Sequence, residues 1–387
     1  MSATASTSMP IWNDLAGQPE AVAQLELAIK HRDQGVHHAW LFTGPPGSGR
    51  SNLATAFAAA LLCEDGGCGQ CKSCRMVASG THPDVTTLAT ERVQISIEEI
   101  RNMVSNSYLG SSMGRYRIMI IEDADRMAER SSNVLLKALE EPPVNTLWIL
   151  CAPSEADLLP TIRSRVRRIG LKVPSVEAVA DLLVSRNGID PKLALQVAAE
   201  SQSHIGMALR LATSTEARSR RRETLLSALN MRGVSSAMLT ADQWLSIAKK
   251  DADALTAQRD EAEREQLMGT LGIASGETIP PGLRSEFKQL EEAQKRRATR
   301  SMRDGIDRIL VDLLSLYRDV ISVQLKAGVP LVNQDLAAGI TDLAAATTPA
   351  ETLEKLESIA VARKRIDANV RDLLTLEALA VSLRRKD

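Results

Sequence analysis

The chain has 387 residues, which at ~150 residues per domain points to two or three domains. Its 47 Lys and Arg against 48 Asp and Glu give a formal net charge of −1, which excludes a globally basic nucleic-acid coat and a highly charged disordered chain. Hydrophobic residues make up 44% but aromatics only 3%, so the cores must be aliphatic. The longest apolar run, residues 53–63, falls far short of the ~18 residues needed to span a bilayer. The first ten residues, MSATASTSMP, read as a disordered tail without the basic-then-apolar pattern of a secretory signal, so a soluble, cytoplasmic chain is expected.

Taken in chain order, residues 20–30 have helical spacing, with Val22, Leu25, Leu27 and Ile29 apolar. Residues 38–43 form a short apolar run that enters a Gly/Pro loop and read as a buried strand. Residues 53–62 form an Ala-rich helix, and 63–74 a loop crowded with Cys and Gly. Further strands are expected at 85–88, 118–121 and 146–151. A helix over 127–141 stops at Pro142-Pro143, because proline cannot donate to the helical ladder. Strands alternating with helices predict a parallel α/β sheet. The character changes near Leu171. Helical spacing recurs over 176–185, 191–201 and 204–212, and longer helices are expected at 303–325 and 352–383. Residues 249–300 are polar and mixed in charge, broken by a loop at 272–282.

Four groups of residues carry chemistry. Gly44-Pro-Pro-Gly47-Ser48-Gly49-Arg50-Ser51 matches a phosphate-binding loop between a strand and a helix, with Arg50 where Lys is expected. Its glycines allow backbone N–H groups to surround an anion, and Ser51 is placed to hold Mg²⁺. The alternative is a Gly-rich turn without a ligand. A second group, Glu122, Asp123 and Asp125, ends a buried strand, where a P-loop enzyme places its metal carboxylate and its water-activating base. The order here is Glu122 then Asp123, the reverse of the common one, and Asp123 is a methylene short for a base. Third, Cys63-x₄-Cys68-x₂-Cys71-x₂-Cys74 suits a structural tetrahedral Zn²⁺; redox chemistry and free thiols are the alternatives, and Cys151 reads as a buried apolar residue. Last, Thr161-Ile-Arg163-Ser164-Arg165-Val166-Arg167-Arg168 follows the last expected strand. Arg165 there is either a finger reaching a neighbour's nucleotide site or part of a solvated or DNA-contacting basic loop. Arg218–Arg222 is the densest basic run and reads as a solvated helix face.

Together these segments resemble the bacterial DNA polymerase III clamp-loader subunits of the AAA+ class, most of all their delta-prime branch in its actinobacterial forms. The resemblance runs through HAWLFTGPPGSGRS, the Cys-x₂-Cys-x₂-Cys insertion, THPDV at 81–85, ISIEEIR at 95–101, IIEDADRM at 120–127, NVLLKALEEPP at 133–143 and TIRSRV at 161–166, and covers residues 11–215. The tail matches less specifically, through RATRSMRD at 297–304, LYRDV at 316–320 and residues 369–377. The resemblance implies a RecA-like P-loop domain over 1–170 with a zinc module at 63–74. A helical lid over 171–215 and a helical collar over 216–387 would follow.

It further implies a subunit of a DNA polymerase holoenzyme, itself without polymerase activity. That subunit would sit in a hetero-pentameric ring with delta and gamma/tau, and the ring would load the beta sliding clamp onto primed DNA. Arg50, the reversed acids, the Leu-Cys-Ala-Pro-Ser154 strand end and Gly206 in the lid each depart from the motor subunits of the family. Arg165 matches the family's Ser-Arg-Cys finger, with Val166 in place of Cys. Residues 44–51 are therefore expected to allow binding of ATP and Mg²⁺ but little or no turnover. The alternatives are an active gamma/tau-like ATPase and a free-standing zinc-dependent nucleic-acid binding protein.

Overall fold

Four short runs rich in apolar and β-branched residues and one polar edge segment form one parallel sheet in the computed structural model. The structure describes residues 9–13, 15–32, 35–271, 273 and 280–385. The strands are β1 (Ala39–Thr43), β2 (Val85–Leu88), β3 (Arg117–Ile121), β4 (Thr146–Ala152) and β5 (Arg167–Gly170), in the order β2-β3-β4-β1-β5. The register pairs Thr43 with Ala152 and with Gly170, and Ile121 with Leu150. Side chains alternate across the pleat. Trp40, Phe42, Ile118, Ile120, Leu147 and Ile149 pack with helices α1 (Pro19–Lys30) and α2 (Arg50–Leu62) on one face. Leu41, Met119, Ile121, Trp148 and Leu150 pack with α4 (Ile97–Ser107) and α5 (Glu129–Glu140) on the other. Helices on both faces explain why β1 and β4 read as unbroken apolar runs. Nine residues of α2 are buried, and its alanines let the helix lie close to the sheet.

The chain divides into two compact units, Met1–Thr213 and Ser214–Asp387. Besides the sheet, the first unit holds α3 (Lys72–Ala78), the short α6 (Pro160–Arg163), and α7 (Val176–Asn187), α8 (Pro191–Glu200) and α9 (Ile205–Thr213). The second is helical: α10 (Thr215–Asn230), α11 (Gly233–Thr270), α12 (Arg284–Gln324), α13 (Ala337–Ala346), α14 (Pro349–Asp367) and α15 (Asp372–Leu383). Its core gathers Trp244, Ile306, Leu310, Leu313 and Tyr317 with Leu376 and Leu379.

Several expectations are corrected. The Ser-Arg motif does not follow the last strand, because β5 comes after it. That strand buries only Ile169 while Arg167, Arg168 and Gly170 stay exposed, so an edge strand reads as a polar segment. Helix α4 opens with a Ser96/Glu99 capping box, a local signal that apolar spacing passes over. The single helix expected over 352–383 is two. The chain breaks at Asn369, which adopts a left-handed φ of 61°, a conformation Asn tolerates. The helix expected at 303–325 begins instead at Arg284. It pairs with α11 through the mixed-charge segment, whose expected loop lies largely outside the described residues, as do residues 1–8 of the expected tail. Met9 and Pro10, at the end of that tail, are described and packed against the rest of the first unit. The Arg218–Arg222 run is not a solvated face. Arg220 pairs with Asp251, and Arg222 with Asp335 at 3.5 Å. Arg221, 9% exposed, reaches Asp312 at 2.9 Å and Asn333 at 2.6 Å.

Candidate nucleotide and metal sites

The glycine loop and the acidic turn arrive at one edge of the sheet because β1 and β3 flank β4 in parallel. Their C-terminal ends therefore point the same way. The loop runs Gly44 to Gly49, and Arg50 and Ser51 open α2. Gly44 N–H donates to Pro153 O at the end of β4 (3.2 Å), and Ser48 N–H to Pro45 O (3.1 Å). Gly47 has φ +81°, and a Cβ there would lie 2.2 Å from the His204 ring, so only glycine fits. Ile205 N–H, at the start of α9, donates to Gly47 O at 3.3 Å. Buried Gln18 ties the loop from the other side, donating to Ser48 O at 3.3 Å and Lys172 O at 2.8 Å. None of His204, Ile205 and Gln18 carries a motif signal, and sequence reasoning missed all three.

The Arg50 guanidinium is engaged by the loop itself. Its Nη1 donates to Gly44 O at 2.9 Å, and its Nη2 lies 3.9 Å from Asp123 Oδ1. Asp123 has φ 51° and also faces Arg126 Nε at 3.6 Å. A carboxylate held between two guanidinium groups is a poor general base. Glu122 donates its N–H to Leu88 O. Asp125 has a buried Oδ1 without a hydrogen-bond partner, and burial followed by the Asp123 charge pushes its carboxyl above the usual range. Ser154 caps the turn at 155–157, accepting from Ala156 N–H at 3.2 Å, and so serves the backbone.

A cavity of about 360 Å³ opens beside the loop. Gly47, Gly49, Arg50, Ser51 and Asn52 line it from the loop side, with Leu182, Arg186, Asn187, Ile205 and Gly206 from α7 and α9. The donor set fits an anion at a helix N-terminus, and Ser51 faces the space a metal-bound nucleotide would need. Ser48 is 2% exposed and its Oγ has no partner.

The four cysteines come together. Their Sγ atoms all lie within 4.8 Å of one another, with Cys63–Cys68 at 3.6 Å and Cys71–Cys63 at 3.8 Å. A tetrahedral ion with ~2.3 Å metal–sulfur bonds has edges of about 3.8 Å, so the set fits a Zn²⁺-sized ion. Backbone N–H groups point at the sulfurs: Cys68 to Cys63 Sγ at 3.5 Å, Cys71 to Cys68 Sγ at 3.3 Å and Cys74 to Cys71 Sγ at 3.4 Å. Hydrogen bonds from the Gln70 and Cys71 backbone lower the Cys68 thiol to about 7, while burial pushes Cys74 up. Cys151 lies in the sheet core, 1% exposed.

The surroundings of the metal site were not legible in the sequence. Arg32 donates to Cys63 O at 2.7 Å and to Glu64 O at 2.6 Å. Ile11 N–H donates to Gly67 O at 3.2 Å, and a Cβ on Gly67 (φ +129°) would strike Ile11 at 2.8 Å. His82 Nδ1 accepts from Asp84 N–H at 3.1 Å, which leaves the proton on Nε2, facing Ser73 Oγ at 3.0 Å. The imidazole thus donates to the hydroxyl, which excludes a base–nucleophile pair and assigns it to holding α3 against β2.

Arg165 stands just after α6. Its Nη1 donates to Thr161 O at 2.8 Å and Ser164 Oγ at 3.1 Å, and its Nη2 meets Glu140 Oε1 at 2.6 Å.

Comparison with known proteins finds relatives by sequence. Residues 17–175 match the family model described as DNA polymerase III, delta subunit. The chain is 25% identical over 371 residues to the DNA polymerase III subunit delta' of Bacillus subtilis, covering 95% of this chain and 96% of that one. The chain is thus similar in sequence to the delta' subunits of DNA polymerase III. It is 35% identical over 165 residues to the subunit delta' of Pseudomonas aeruginosa, an alignment of 41% of this chain and half the length of that relative. A tau/gamma subunit of Haemophilus influenzae is 32% identical over 164 residues, 41% of this chain and 23% of that protein. Among solved structures, a gamma subunit-related protein of Thermotoga maritima is 18% identical with a TM-score of 0.42, covering 94% of this chain and 100% of that one. In this chain the glycine loop follows β1, next to the edge strand of the five-stranded parallel sheet. Among the described residues, no helix is long and apolar enough to cross a membrane.

Proposed function

We propose that this chain works as the delta-prime subunit of a clamp loader, giving an arginine to a neighbour's ATP site while its own P-loop turns over little or nothing. The observation that carries this reading is the contrast between two arginines. Arg50, in the position of the P-loop lysine, is folded onto Gly44 O and Asp123, inside its own loop. Arg165 stands at the surface with its side chain 34% exposed. Phosphoryl transfer needs a cation at the γ-phosphate and a carboxylate free to orient the attacking water. Here Asp123 is held by arginines, and Gly206 supplies no cation from α9, although Arg186 of α7 lines the cavity. The cavity beside the loop is within the usual size of ligand sites, so nucleotide can be held without being hydrolysed.

The partners that follow are delta and gamma/tau subunits in a five-membered ring, the beta clamp, and primed DNA reached through the complex. The four cysteines hold Zn²⁺, which cross-links a loop too short to form its own core. The second reading, a gamma/tau-like motor, draws on the intact glycines and Ser51.

ATP turnover of a reconstituted loader tests the proposal. Arg165→Ala should cut clamp- and DNA-stimulated hydrolysis by ~10²-fold or more, because a finger stabilises the transferring phosphoryl group. Arg50→Ala should change it less than about twofold. The opposite pattern would make the chain itself a motor and end this reading.

A further inference from the structure

The Arg165 guanidinium has five N–H bonds, and three are engaged within this chain. Nη1 donates to Thr161 O and Ser164 Oγ, both neutral acceptors, and Ser164 Oγ is itself fixed by donating to Thr161 O at 3.0 Å. The third bond differs in kind. It goes from Nη2 to Glu140 Oε1 at 2.6 Å, a charge-assisted contact with the last residue of α5. The two neutral contacts set the direction of the side chain, whereas Glu140 cancels its charge. Charge is what a finger supplies, since it acts by facing the negative charge of a transferring phosphoryl group.

The end of α5 makes that contact reciprocal. Glu140 and the capping residue Glu141 place two carboxylates at the negative end of the helix dipole, with Lys137 the only basic residue of the last turn. Arg165 relieves this repulsion while it stays on Glu140, and its departure restores it. The contact is half-exposed, at 34% for Arg165 and 45% for Glu140, so it is weak enough to be exchanged for a phosphate.

We propose that Glu140 is a restraining partner of the finger, holding Arg165 neutralised on its own subunit until a neighbour's triphosphate displaces the carboxylate. This rests on the finger reading above and adds its regulation. Glu140→Gln tests it, because the amide keeps the shape and an acceptor oxygen but not the charge. In the reconstituted loader, Glu140→Gln should raise ATP turnover without clamp or DNA by about two- to fivefold, the range of an exposed ion pair. The rise should fall on kcat with KM unchanged, and Arg165→Ala in the same chain should abolish it.

Basal turnover equal to or below wild type in a Glu140→Gln complex that assembles and melts normally would overturn the restraint and leave the finger reading standing. A fall in stimulated turnover in both Glu140→Gln and Glu140→Ala would show instead that Glu140 orients the finger, and would also overturn it. If Arg165→Ala is silent with and without clamp and DNA, the finger reading falls, and the restraint with it.

Discussion

Arg50 Nη1 donates to the carbonyl of Gly44, six residues earlier in the same loop, at 2.9 Å. The cation that should attract a phosphate thus closes the loop that would cradle it. A lysine ammonium is a compact point charge on a flexible stem and cannot span both Gly44 O and Asp123 as a planar fork does. Arg50→Lys should therefore free the cradle and tighten binding of a non-hydrolysable ATP analogue about three- to tenfold, the worth of one competing hydrogen bond. Turnover by the isolated chain should stay undetectable, because Asp123 remains beside Arg126. Fluorescent-nucleotide titration of the two proteins, paired with phosphate release, measures both outcomes.

Metal removal should be felt at the N-terminal segment. Ile11 is bonded to Gly67 O, and Trp12 is 4% exposed in the core beside α2. Without the cross-link, residues 63–71 lose the constraint that presents Gly67 to Ile11. Chelation, or Cys71→Ser, should abolish hydrogen-exchange protection over residues 9–13 while β1 and β4 keep theirs. Unchanged protection at 9–13 in metal-free protein would show that the loop holds its shape unaided.

The paired helices α11 and α12 depend on one buried cation. Arg297, 8% exposed, meets Asp260 and, at 2.8 Å, both oxygens of Glu263. Burial alone would raise the Glu263 carboxyl, but hydrogen bonds from Arg297 and then Arg259 outweigh it and hold the group below 4.5. A carboxylate depressed in the folded state contributes stability that is present above its unfolded pKa and lost as pH falls through the folded one. Thermal melts should therefore show stability falling below about pH 4.5, less steeply in Glu263→Gln. Arg297→Ala at neutral pH should cost about 1.5–3 kcal/mol through the lost charged hydrogen bonds.

A second buried network fixes the helical unit. Asp319, fully buried, accepts from Val332 N–H at 3.0 Å, Asn333 N–H at 2.8 Å and Asn333 Nδ2 at 3.0 Å, and also meets Arg318. Asp319→Ala leaves two backbone donors and one of the two Asn333 amide N–H groups unsatisfied, the other still reaching Ser315 Oγ, and should destabilise the chain by about 3–5 kcal/mol in urea unfolding. A loss below 1 kcal/mol would mean that water replaces the carboxylate.

The sequence by itself determined whatever is encoded over short spans. The glycine loop, the Cys63–Cys74 cluster, the apolar strands β1, β3 and β4 and the stop at Pro142-Pro143 are each specified by residues within about a dozen positions. Backbone permissiveness, thiolate spacing and the pleat act at that range. The family resemblance was carried by these segments together with other short ones such as THPDV at 81–85, ISIEEIR at 95–101 and TIRSRV at 161–166. Where a local signal was faint the reading failed. β5 hides because an edge strand with one buried residue lacks an apolar run, and the break at Asn369 is a single left-handed residue inside a continuous helical pattern.

Only the tertiary structure decided what each charge faces. Arg165 meets Glu140 because α5 and α6 pack together, twenty-five residues apart in the chain. Met9 to Trp12 reach the metal loop across more than fifty residues, and Arg221 finds Asn333 across 112. A guanidinium or carboxylate is long, flexible and indifferent to its own backbone, so its partner is chosen by packing of distant elements. Residue type announces that a charge is available; the fold assigns it to a phosphate, a carbonyl or another side chain.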